Sequence, residues 1–509
     1  MKEMKLLFSI FQFKRHLYMR FLFVLLCFCW VLGCKKNAVN VPTPTDSTAL
    51  ETFKGYKVDP IALAASRQKD FGRSYWRNNS HFVDLMITAF QKPYSGNQGA
   101  VENNFFGGGI QATAGDFNND GYIDIFNAGG AYAANATAFS FLIWNPNKQT
   151  FIDTTFLNDK SFRTFGGNKN TSIPIYLNQD NYLDIVLFDN GDEGIPNSPN
   201  EPIRIILSDG KGGFDLKEVE TNENYVTDWG GMRNFKFGNK KESGDVGDLN
   251  MDGIPDLYMV CNSQTYIYWG ISEFPYFTQN NHAQNFADTV NFGYLSNNGF
   301  NEKAPLCSGN AYNAHIADVN NDNKNDIILG SSESNNDPLV PLSQRILFNL
   351  GSGRFNNSSA YALPLYQKVE PGFPINVDFL LADINDDGKK DIITTNYTSG
   401  PQGFGIFWDI LIYFQNNDGT FRLDKSMFQY TTNTDRRITG EYRRYLSYID
   451  INKDGKEDIV AGNTVGTLDK NNKAHVMYKT VFIRNGNSFV EESYYKFDNY
   501  AKTVLQLIK

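Results

Sequence analysis

The sequence predicts an all-β fold built from a repeated unit. An acidic cluster of the form Asp-x-Asn-x-Asp-Gly-x-x-Asp recurs along the 509 residues, at intervals of 60, 72, 70, 65 and 67 residues. Runs rich in Ile, Leu and Val, such as residues 326–329 and 391–394, follow the clusters, whereas helical periodicity is scarce. A unit of about 67 residues that carries several strands fits one four-stranded blade of a β-propeller.

Six copies of the acidic cluster are visible. The complete copies begin at residues 116, 248, 318, 383 and 450, and a copy that has lost its first carboxylate begins at Tyr176. Each is followed by a second strand, a Gly/Asn turn and a Phe, as in residues 345–355 and 409–421, although the third repeat is looser around residues 265–277. Regular spacing of both cluster and flanks predicts one blade for each copy.

These units resemble the FG-GAP or VCBS repeats of integrin-α-type propellers over roughly residues 105–495. Members of that family usually have seven blades. The resemblance therefore implies a propeller over residues 105–509 with one degenerate blade. Residues 55–104 form either that blade, with a strand near residues 82–87, or a separate cap. Integrin-like adhesion is also implied by this resemblance alone.

The acidic loop has the chemistry of a hard-cation site. Oxygen atoms at positions 1, 3 and 5 of a tight loop converge on one point, and the carboxylate at position 9 adds a ligand. Gly at position 6 permits the sharp turn, and Asn323 replaces it because Asn also enters left-handed conformations. Three carboxylates within nine residues repel one another unless a cation lies between them. The alternative is a set of Asx-turns without metal.

We therefore predict five Ca²⁺ ions, or six if the copy at Tyr176 also binds one; Mg²⁺ is disfavoured because it dehydrates reluctantly. The loops lack the Glu at position 12 that an EF-hand needs. The predicted ligands are Asp116, Asn118, Asp120, Asp124, Asn178, Asp180, Asp184, Asp248, Asn250, Asp252, Asp256, Asp318, Asn320, Asp322, Asp326, Asp383, Asn385, Asp387, Asp391, Asp450, Asn452, Asp454 and Asp458.

The N-terminus has the pattern of an export signal. Residues 1–33 combine a basic start with an apolar run, residues 21–33, that is short for a membrane span. The run ends in Val-Leu-Gly before Cys34, which resembles a bacterial lipobox, and this resemblance implies that Cys34 is lipidated. An uncleaved anchor is the alternative. Residues 34–54 then form the lipidated Cys and a flexible tether, and we expect the protein at the bacterial outer membrane or cell surface.

Composition and motifs restrict the function. The net charge of -9 argues against nucleic acid as a partner. His is scarce and no HExxH, GxSxG or P-loop motif is present, so no catalytic residue is predicted. Cys261 and Cys307 could pair but are expected to be buried thiols. We expect a monomer whose rim loops bind a protein or glycan. The alternative is a polysaccharide-degrading, lyase-like enzyme, for which the nearest basic pairs are residues 436–437 and 443–444.

Two further groups of side chains are candidates for binding. Alternate residues of the strands that precede the loops are polar and share one face, which could rim a central pocket or pack within the blades. They are Gln111, Thr113, Ser243, Asp245, Asn313, His315, Asp378 and Ser447. Aromatic residues could stack on sugars or lie in the core. They are Tyr75, Trp76, Tyr268, Trp269, Phe274, Tyr276 and Phe277.

Overall fold

The computed structural model describes the chain from residue 54 onwards, with gaps. The described ranges are 54–83, 112–127, 140–154, 169–178, 180–189, 203–219, 224–226, 232–234, 241–261, 265–274, 276–277, 294–296, 299–301, 311–331, 344–355, 360–364, 373–399, 405–424, 426–429, 446–461, 466–468, 474–476, 480–493 and 496–497. The predicted signal, Cys34 and the tether up to residue 53 lie outside them, as do Cys307 and the side chain of Cys261. No helix of these ranges is long and apolar enough to cross a membrane.

Six antiparallel sheets form the blades, and in each the strands follow chain order from the axis outward. Blade 1 has β1 (Ala112–Gly115), β2 (Asp124–Asn127), β3 (Ser140–Asn145) and β4 (Thr150–Asp153). Blade 2 has β5 (Lys169–Ile175), β6 (Asp184–Asp189), β7 (Ile203–Ser208) and β8 (Phe214–Val219). Blade 3 has β11 (Lys241–Gly247), β12 (Asp256–Cys261) and β13 (Thr265–Tyr268), extended by a bridge between Gly270 and Phe277.

The other three blades follow in chain order. Blade 4 has β16 (Ala311–Ala317), β17 (Asp326–Ser331), β18 (Gln344–Leu347) and β19 (Ala360–Ala362). Blade 5 has β20 (Phe373–Ala382), β21 (Asp391–Ser399), β22 (Gly405–Gln415) and β23 (Phe421–Asp424). Blade 6 has β25 (Leu446–Ile449), β26 (Asp458–Ala461), β29 (Thr480–Asn485) and β30 (Ser488–Ser493), with β24 (Phe428–Gln429) parallel to its outer edge.

Three two-stranded hairpins lie outside the blades in the described ranges. They pair β9 (Asn224–Val226) with β10 (Met232–Asn234), β14 (Tyr294–Ser296) with β15 (Gly299–Asn301), and β27 (Gly466–Leu468) with β28 (Ala474–Val476). Each belongs to a connection between blade strands, so the blades themselves keep the repeat order that the sequence predicts.

The second strand of each blade is apolar on both faces because a blade is packed between two neighbours. In β17, Ile327 and Ile328 point to opposite sides of the sheet, and both are fully buried. Ile327 joins the core shared with blade 3, which contains Leu249, whereas Ile328 joins the core shared with blade 5, which contains Phe379. Uninterrupted Ile/Leu/Val runs, rather than alternating ones, are the expected sequence of such a strand.

The ring closes with six blades. Val460 and Val481 of blade 6 belong to the same core cluster as Ile125 of blade 1 and Ile185 of blade 2. This shared core places the last blade against the first, so the prediction of a seventh blade is wrong. That number followed from the family resemblance, whereas apolar contact between blades 6 and 1 is what determines closure here.

The N-terminal segment forms helices instead of a blade in its described part. Helix α1 (Pro60–Asp70) begins at Asp59, whose carboxylate accepts from the N–H groups of Ile61 (2.9 Å) and Ala62 (3.1 Å). Helix α2 (Arg73–Asn79) and a 3₁₀ turn (Ser80–Phe82) follow. Helix α2 packs against the innermost strands β1, β5 and β25, so it lies at the axis of the ring. The predicted strand near residue 82 is not formed at Phe82 or Val83.

Candidate functional site

Each complete acidic loop is wrapped around its first carboxylate. Asp116 accepts hydrogen bonds from the backbone N–H groups of Asp120 at 3.0 Å and Gly121 at 2.9 Å. Asp120 accepts from the N–H of Tyr122 at 2.9 Å. The same three bonds recur in the loops that begin at residues 248, 318, 383 and 450. The repeat therefore specifies one loop conformation, used five times.

Position 6 of the loop has a left-handed backbone, as predicted. Gly121 has φ of 83° and Gly388 has φ of 83°, values that side chains rarely tolerate. Asn323, which replaces Gly in the loop of blade 4, has φ of 64°. The prediction that Asn can stand at this position is confirmed, because Asn tolerates this region better than most residues.

The carboxylate at position 9 anchors the loop to the blade. Asp391 is fully buried and accepts from the backbone N–H groups of Ile384 and Gln415, both at 3.0 Å. Its counterparts are equally buried and accept from two backbone N–H groups in the same way, one at position 2 of the loop and one in or just after the third strand of the blade: they are Asp124, Asp184, Asp256, Asp326 and Asp458. Burial raises their pKa values, to about 6 for Asp391, about 7 for Asp256 and Asp326 and about 8 for Asp184.

The donor set suits a hard cation in part. Carboxylate and amide oxygens at positions 1, 3 and 5 are the ligand type that Ca²⁺ prefers, and each oxygen keeps a lone pair beyond its hydrogen bond. Burial raises the pKa of Asp116 to about 6, a cost to its charged form that a cation would relieve. Within the described ranges, however, no three His, Cys, Asp or Glu side chains are grouped as a metal site. The role of position 9 as a ligand stays a prediction.

The degraded loop of blade 2 is covered by helix α1. The Arg67 guanidinium lies over the ring of Tyr176, 4.0 Å from its centroid, and donates to the side-chain oxygen of Asn181 at 2.5 Å. Phe71 accepts a backbone hydrogen bond from Tyr176 at 3.1 Å. Tyr176, at position 1 of this loop, thus contacts the helical segment. Arg67 brings a positive charge to this loop, which has no carboxylate at position 1.

In two of the loops, a lysine side chain pairs with the position-5 carboxylate that is a predicted cation ligand. Lys324 contacts Asp322 at 2.5 Å and Lys389 contacts Asp387 at 2.8 Å, each from position 7 to position 5 of its own loop. The hydrogen bond from Lys389 lowers the pKa of Asp387. A cation in these loops would displace the ammonium groups, whereas the loops of blades 1 and 3 carry Tyr122 and Ile254 at position 7.

A second group of charged side chains meets at the axis. Arg73 of α2 forms an ion pair with Asp245 of β11 at 2.6 Å and donates to the carbonyls of Val246, at 2.6 Å, and Ile316. Burial opposes the charge of Asp245, but Arg73 and a hydrogen bond from His315 lower its pKa to about 2. This carboxylate also accepts from the N–H of Ile316 at 2.7 Å, so it joins blades 3 and 4 to the helix.

Arg77 makes the equivalent connection one helical turn later. It pairs with Asp378 of β20 at 2.5 Å and donates to the carbonyls of Phe379 and, at 3.4 Å, Leu446. Burial raises the pKa of Asp378 to about 6, although Arg77 opposes the rise. Asp378 accepts from the N–H of Leu446 at 2.7 Å and thereby links blades 5 and 6.

A cavity of about 70 Å³ lies beside α2 on the axis. Its polar lining combines the two ion pairs with His315, whose Nδ1 is 3.1 Å from the Asp245 carboxylate. Thr113 of β1, Ser172 of β5 and Asn313, which shares β16 with His315, also line it. The cavity can hold several water molecules, since each needs about 10–15 Å³ of such space.

Comparison with known families decides the classification. The profile described as FG-GAP-like repeat matches residues 318–394 and 383–461, which contain the loops of blades 4, 5 and 6. The six-bladed ring has the same unit throughout. The chain is an FG-GAP repeat propeller. No curated protein sequence matches it.

Solved structures similar to the FG-GAP propeller have low sequence identity. An Agrocybe aegerita lectin that recognises non-reducing terminal N-acetylglucosamine is 17% identical with a TM-score of 0.35, over 61% of this chain and 64% of the lectin, so the match spans under two thirds of that protein. An exo-beta-1,3-galactanase from Clostridium thermocellum is 13% identical, with a TM-score of 0.36 and coverages of 79% and 81%. The V. cholerae biofilm matrix protein Bap1 is 13% identical, with a TM-score of 0.30 and coverages of 76% and 82%. Similarity this distant supports no conclusion about function.

The predicted polar face of the FG-GAP propeller is confirmed for five of the six residues whose side chains can be placed. Thr113, Asp245, Asn313, His315 and Asp378 line one axial cavity. Ser447 is fully buried and is not among the lining residues, while Gln111 and the side chain of Ser243 lie outside the described part of the chain. The sequence analysis missed Arg73 and Arg77. Their spacing of four residues, on one face of a helix, was the available signal.

The aromatic candidates are mostly core residues. Trp76, Tyr268 and Phe277 are buried, which excludes them from stacking on an external sugar. Phe274 is 55% exposed and has the Lys217 ammonium 5.7 Å from its ring centroid. Trp269 and Tyr276 are half-buried, so Phe274 is the one exposed ring among the predicted aromatic residues that the structure describes. One exposed ring is not a binding platform by itself.

Replacing Asp391 by Asn should lower the free energy of unfolding by about 1–3 kcal/mol. An amide offers one acceptor oxygen where the carboxylate uses two, so one buried backbone N–H loses its partner. Urea unfolding in EDTA measures the effect without any contribution from metal. Asp418→Asn, in an exposed turn, should leave the midpoint unchanged. Equal urea midpoints for Asp391→Asn and Asp418→Asn would show that the buried Asp391 carboxylate does not contribute to stability.

Proposed function

We propose that this FG-GAP propeller is a calcium-stabilised binding module of the bacterial cell envelope, which engages a protein or a glycan at the rim of its ring and catalyses no reaction. The proposal rests on how the charged side chains at the axis are paired. Arg73, Arg77 and His315 converge as a lyase site would require, but Asp245 and Asp378 neutralise the arginines, whose guanidinium groups also bond to backbone carbonyls. Arginines committed in this way are poorly placed to neutralise a uronate carboxylate.

Binding and catalysis can be separated in one experiment. Residues 51–509 form a compact unit, which can be applied to arrayed glycans and to soluble uronate-containing polysaccharides. The proposal expects retention on a subset of ligands with no unsaturated sugar ends released, as followed by ultraviolet absorbance. Formation of such ends would establish the lyase alternative. Absence of any glycan binding would leave a protein partner, to be sought by crosslinking on intact cells.

Calcium is part of the proposal. The oxygen-rich loops of blades 1, 3, 4, 5 and 6 would each hold one Ca²⁺ through positions 1, 3 and 5. Such an ion would supply positive charge where burial disfavours carboxylate charge, and its binding energy would add to folding. The loop of blade 2 is assigned no ion, because Tyr176 replaces the first carboxylate and Arg67 contributes the charge.

Elemental analysis should therefore find five Ca²⁺ ions per chain. Asp252→Ala removes position 5 of the loop in blade 3 and should lower the number by one. Asp180→Ala removes the same position of the loop in blade 2 and should leave the number unchanged. A loss of one ion in both variants would show that blade 2 also binds metal, and a count near zero in the unmodified protein would refute the calcium proposal.

The membrane attachment is likewise proposed from the sequence. Lipid on Cys34 would place the propeller at the outer membrane or cell surface as a tethered monomer. Growth with labelled palmitate should label the protein and should fail to label Cys34→Ser, which should also leave the membrane fraction. Labelling of the Cys34→Ser protein would refute lipidation at this residue.

A further inference from the structure

Helix α2 fills the axial channel only in part. Arg73 reaches carbonyls two residues before the acidic loops of blades 3 and 4, and Arg77 reaches carbonyls four residues before those of blades 5 and 6. Two strand residues span about 6.6 Å and four helical residues about 6 Å, so the helix runs along the channel. Its backbone packs on β1, β5 and β25, and the space beyond its arginine face is the axial cavity.

Two polar groups at this cavity keep unused hydrogen-bonding capacity. Burial lowers the pKa of His315 to about 4, so the ring is neutral at pH 7, and Nδ1 donates to Asp245. Nε2 is then an acceptor with no partner among the described residues. Arg77 uses Nε and Nη2 for its bonds, and its Nη1 has no partner in the same part of the chain. Both residues line the cavity, so it is bordered by one residue with a spare acceptor and one with a spare donor.

The charge balance selects the kind of ligand. Arg73 and Arg77 are matched by Asp245 and Asp378, so an anion would meet two carboxylates and a cation would meet two guanidinium groups. A hydroxyl group donates and accepts at once, which satisfies both unused groups without adding charge. No Phe, Tyr or Trp is among the lining residues that the structure describes, so recognition depends on hydrogen bonds and not on ring stacking.

We propose that the axial cavity binds a small uncharged polyhydroxyl molecule, a polyol or a single sugar residue, through His315 Nε2 and Arg77 Nη1. Hydroxyls of Thr113 and Ser172 and the Asn313 amide complete the polar wall. This site is separate from the rim surface that we assign to a macromolecular partner, and it stands or falls independently of that assignment.

Nuclear magnetic resonance of the mature protein tests the site, in a detergent without a sugar head group. Glycerol, xylitol and glucose at about 50 mM, well above a millimolar Kd, should show saturation transfer from the protein. The imidazole signal of His315 should shift on titration, while those of His81 and His475 stay fixed. Acetate and ethylammonium at the same concentration should give neither effect. Binding of either charged probe as strong as that of glucose would overturn the assignment of ligand class.

Matched variants place the binding at the cavity. His315→Phe should weaken glucose binding at least tenfold, whereas His475→Phe, on the β27–β28 hairpin, should bind as the unmodified protein does. If His315→Phe fails to fold, Thr113→Val keeps the shape of the cavity and should weaken binding about threefold. Binding of maltose as well as glucose would indicate that the natural ligand is the end of a glycan chain. Binding of glucose alone would indicate a free sugar. An unmoved His315 signal with all three neutral probes would refute the proposal.

Discussion

Chelation of calcium should lower the melting temperature of this FG-GAP propeller by about 10–15 °C relative to excess Ca²⁺. An ion present at 100 times its Kd stabilises a folded protein by about 2.7 kcal/mol, so five sites give about 13 kcal/mol. Unfolding entropy is about 2.1 cal/mol/K per residue, or about 1 kcal/mol/K for the unit Glu51–Lys509. Dividing the first value by the second gives the expected shift in melting temperature.

Calorimetry of the same sample with Ca²⁺, with Mg²⁺ and with EDTA measures this effect. Mg²⁺ should recover only a small part of the stability, because it dehydrates reluctantly and needs a stricter geometry. The Asp180→Ala variant should respond to Ca²⁺ as fully as the unmodified protein. Identical melting temperatures in all three solutions would mean that the loops are hydrogen-bonded turns without a metal role.

Replacing Arg73 by Ala should lower the free energy of unfolding by about 3–5 kcal/mol. Asp245 is 4% exposed, and removal of the guanidinium would leave its charge buried without a counter-ion. Urea unfolding in EDTA provides the measurement. Arg422→Ala is the matched control, because Arg422 pairs with Asp424 at 2.9 Å on the surface, and it should change stability by less than about 1 kcal/mol.

The pH dependence of this variant supplies a second readout. The pKa of Asp245 is lowered to about 2, below the value of about 3.9 for an unfolded chain. The ion pair therefore adds stability above pH 4, and this contribution is lost as the pH falls toward 2. In Arg73→Ala, burial without a counter-ion should raise the pKa of Asp245 above its usual value, so the variant takes up a proton on this group at a higher pH. The difference in stability between Arg73→Ala and the unmodified protein should therefore be largest at pH 7 to 8 and shrink as the pH falls. A difference that is already absent at neutral pH would contradict the role of the pair.

The repeat, the loop turns and the polar axial face could be predicted because their signals are local. Left-handed Gly121 and Asn323 follow from the residue types, and the shared face of Asp245 and His315 follows from two-residue alternation. The blade number could not be predicted, because it depends on packing of Val460 against blade 1.

The axial position of helix α2 could not be predicted from local sequence patterns either. Asp59 before Pro60 is a usable helix-start signal, yet nothing in the sequence indicates where the helix goes. Arg73 and the acceptor at Val246 are 173 residues apart, and Arg77 and the acceptor at Phe379 are 302 residues apart. Each arginine, read alone, was compatible with an exposed helix.

The axial position of α2 constrains the order in which the parts of the protein can fold. The helix is synthesised before every blade, but Tyr448 of blade 6, whose backbone N–H donates to the side-chain oxygen of Asn78, lies 370 residues later. During synthesis the surroundings of the buried Trp76 stay incomplete until nearly all of the chain is available, because its core cluster includes Val460 and Val481 of blade 6. Contacts of such long sequence separation make folding slow. Protein quality control must therefore tolerate or shield an early helix that carries the aromatic residues Tyr75 and Trp76 and whose binding site is completed late in synthesis.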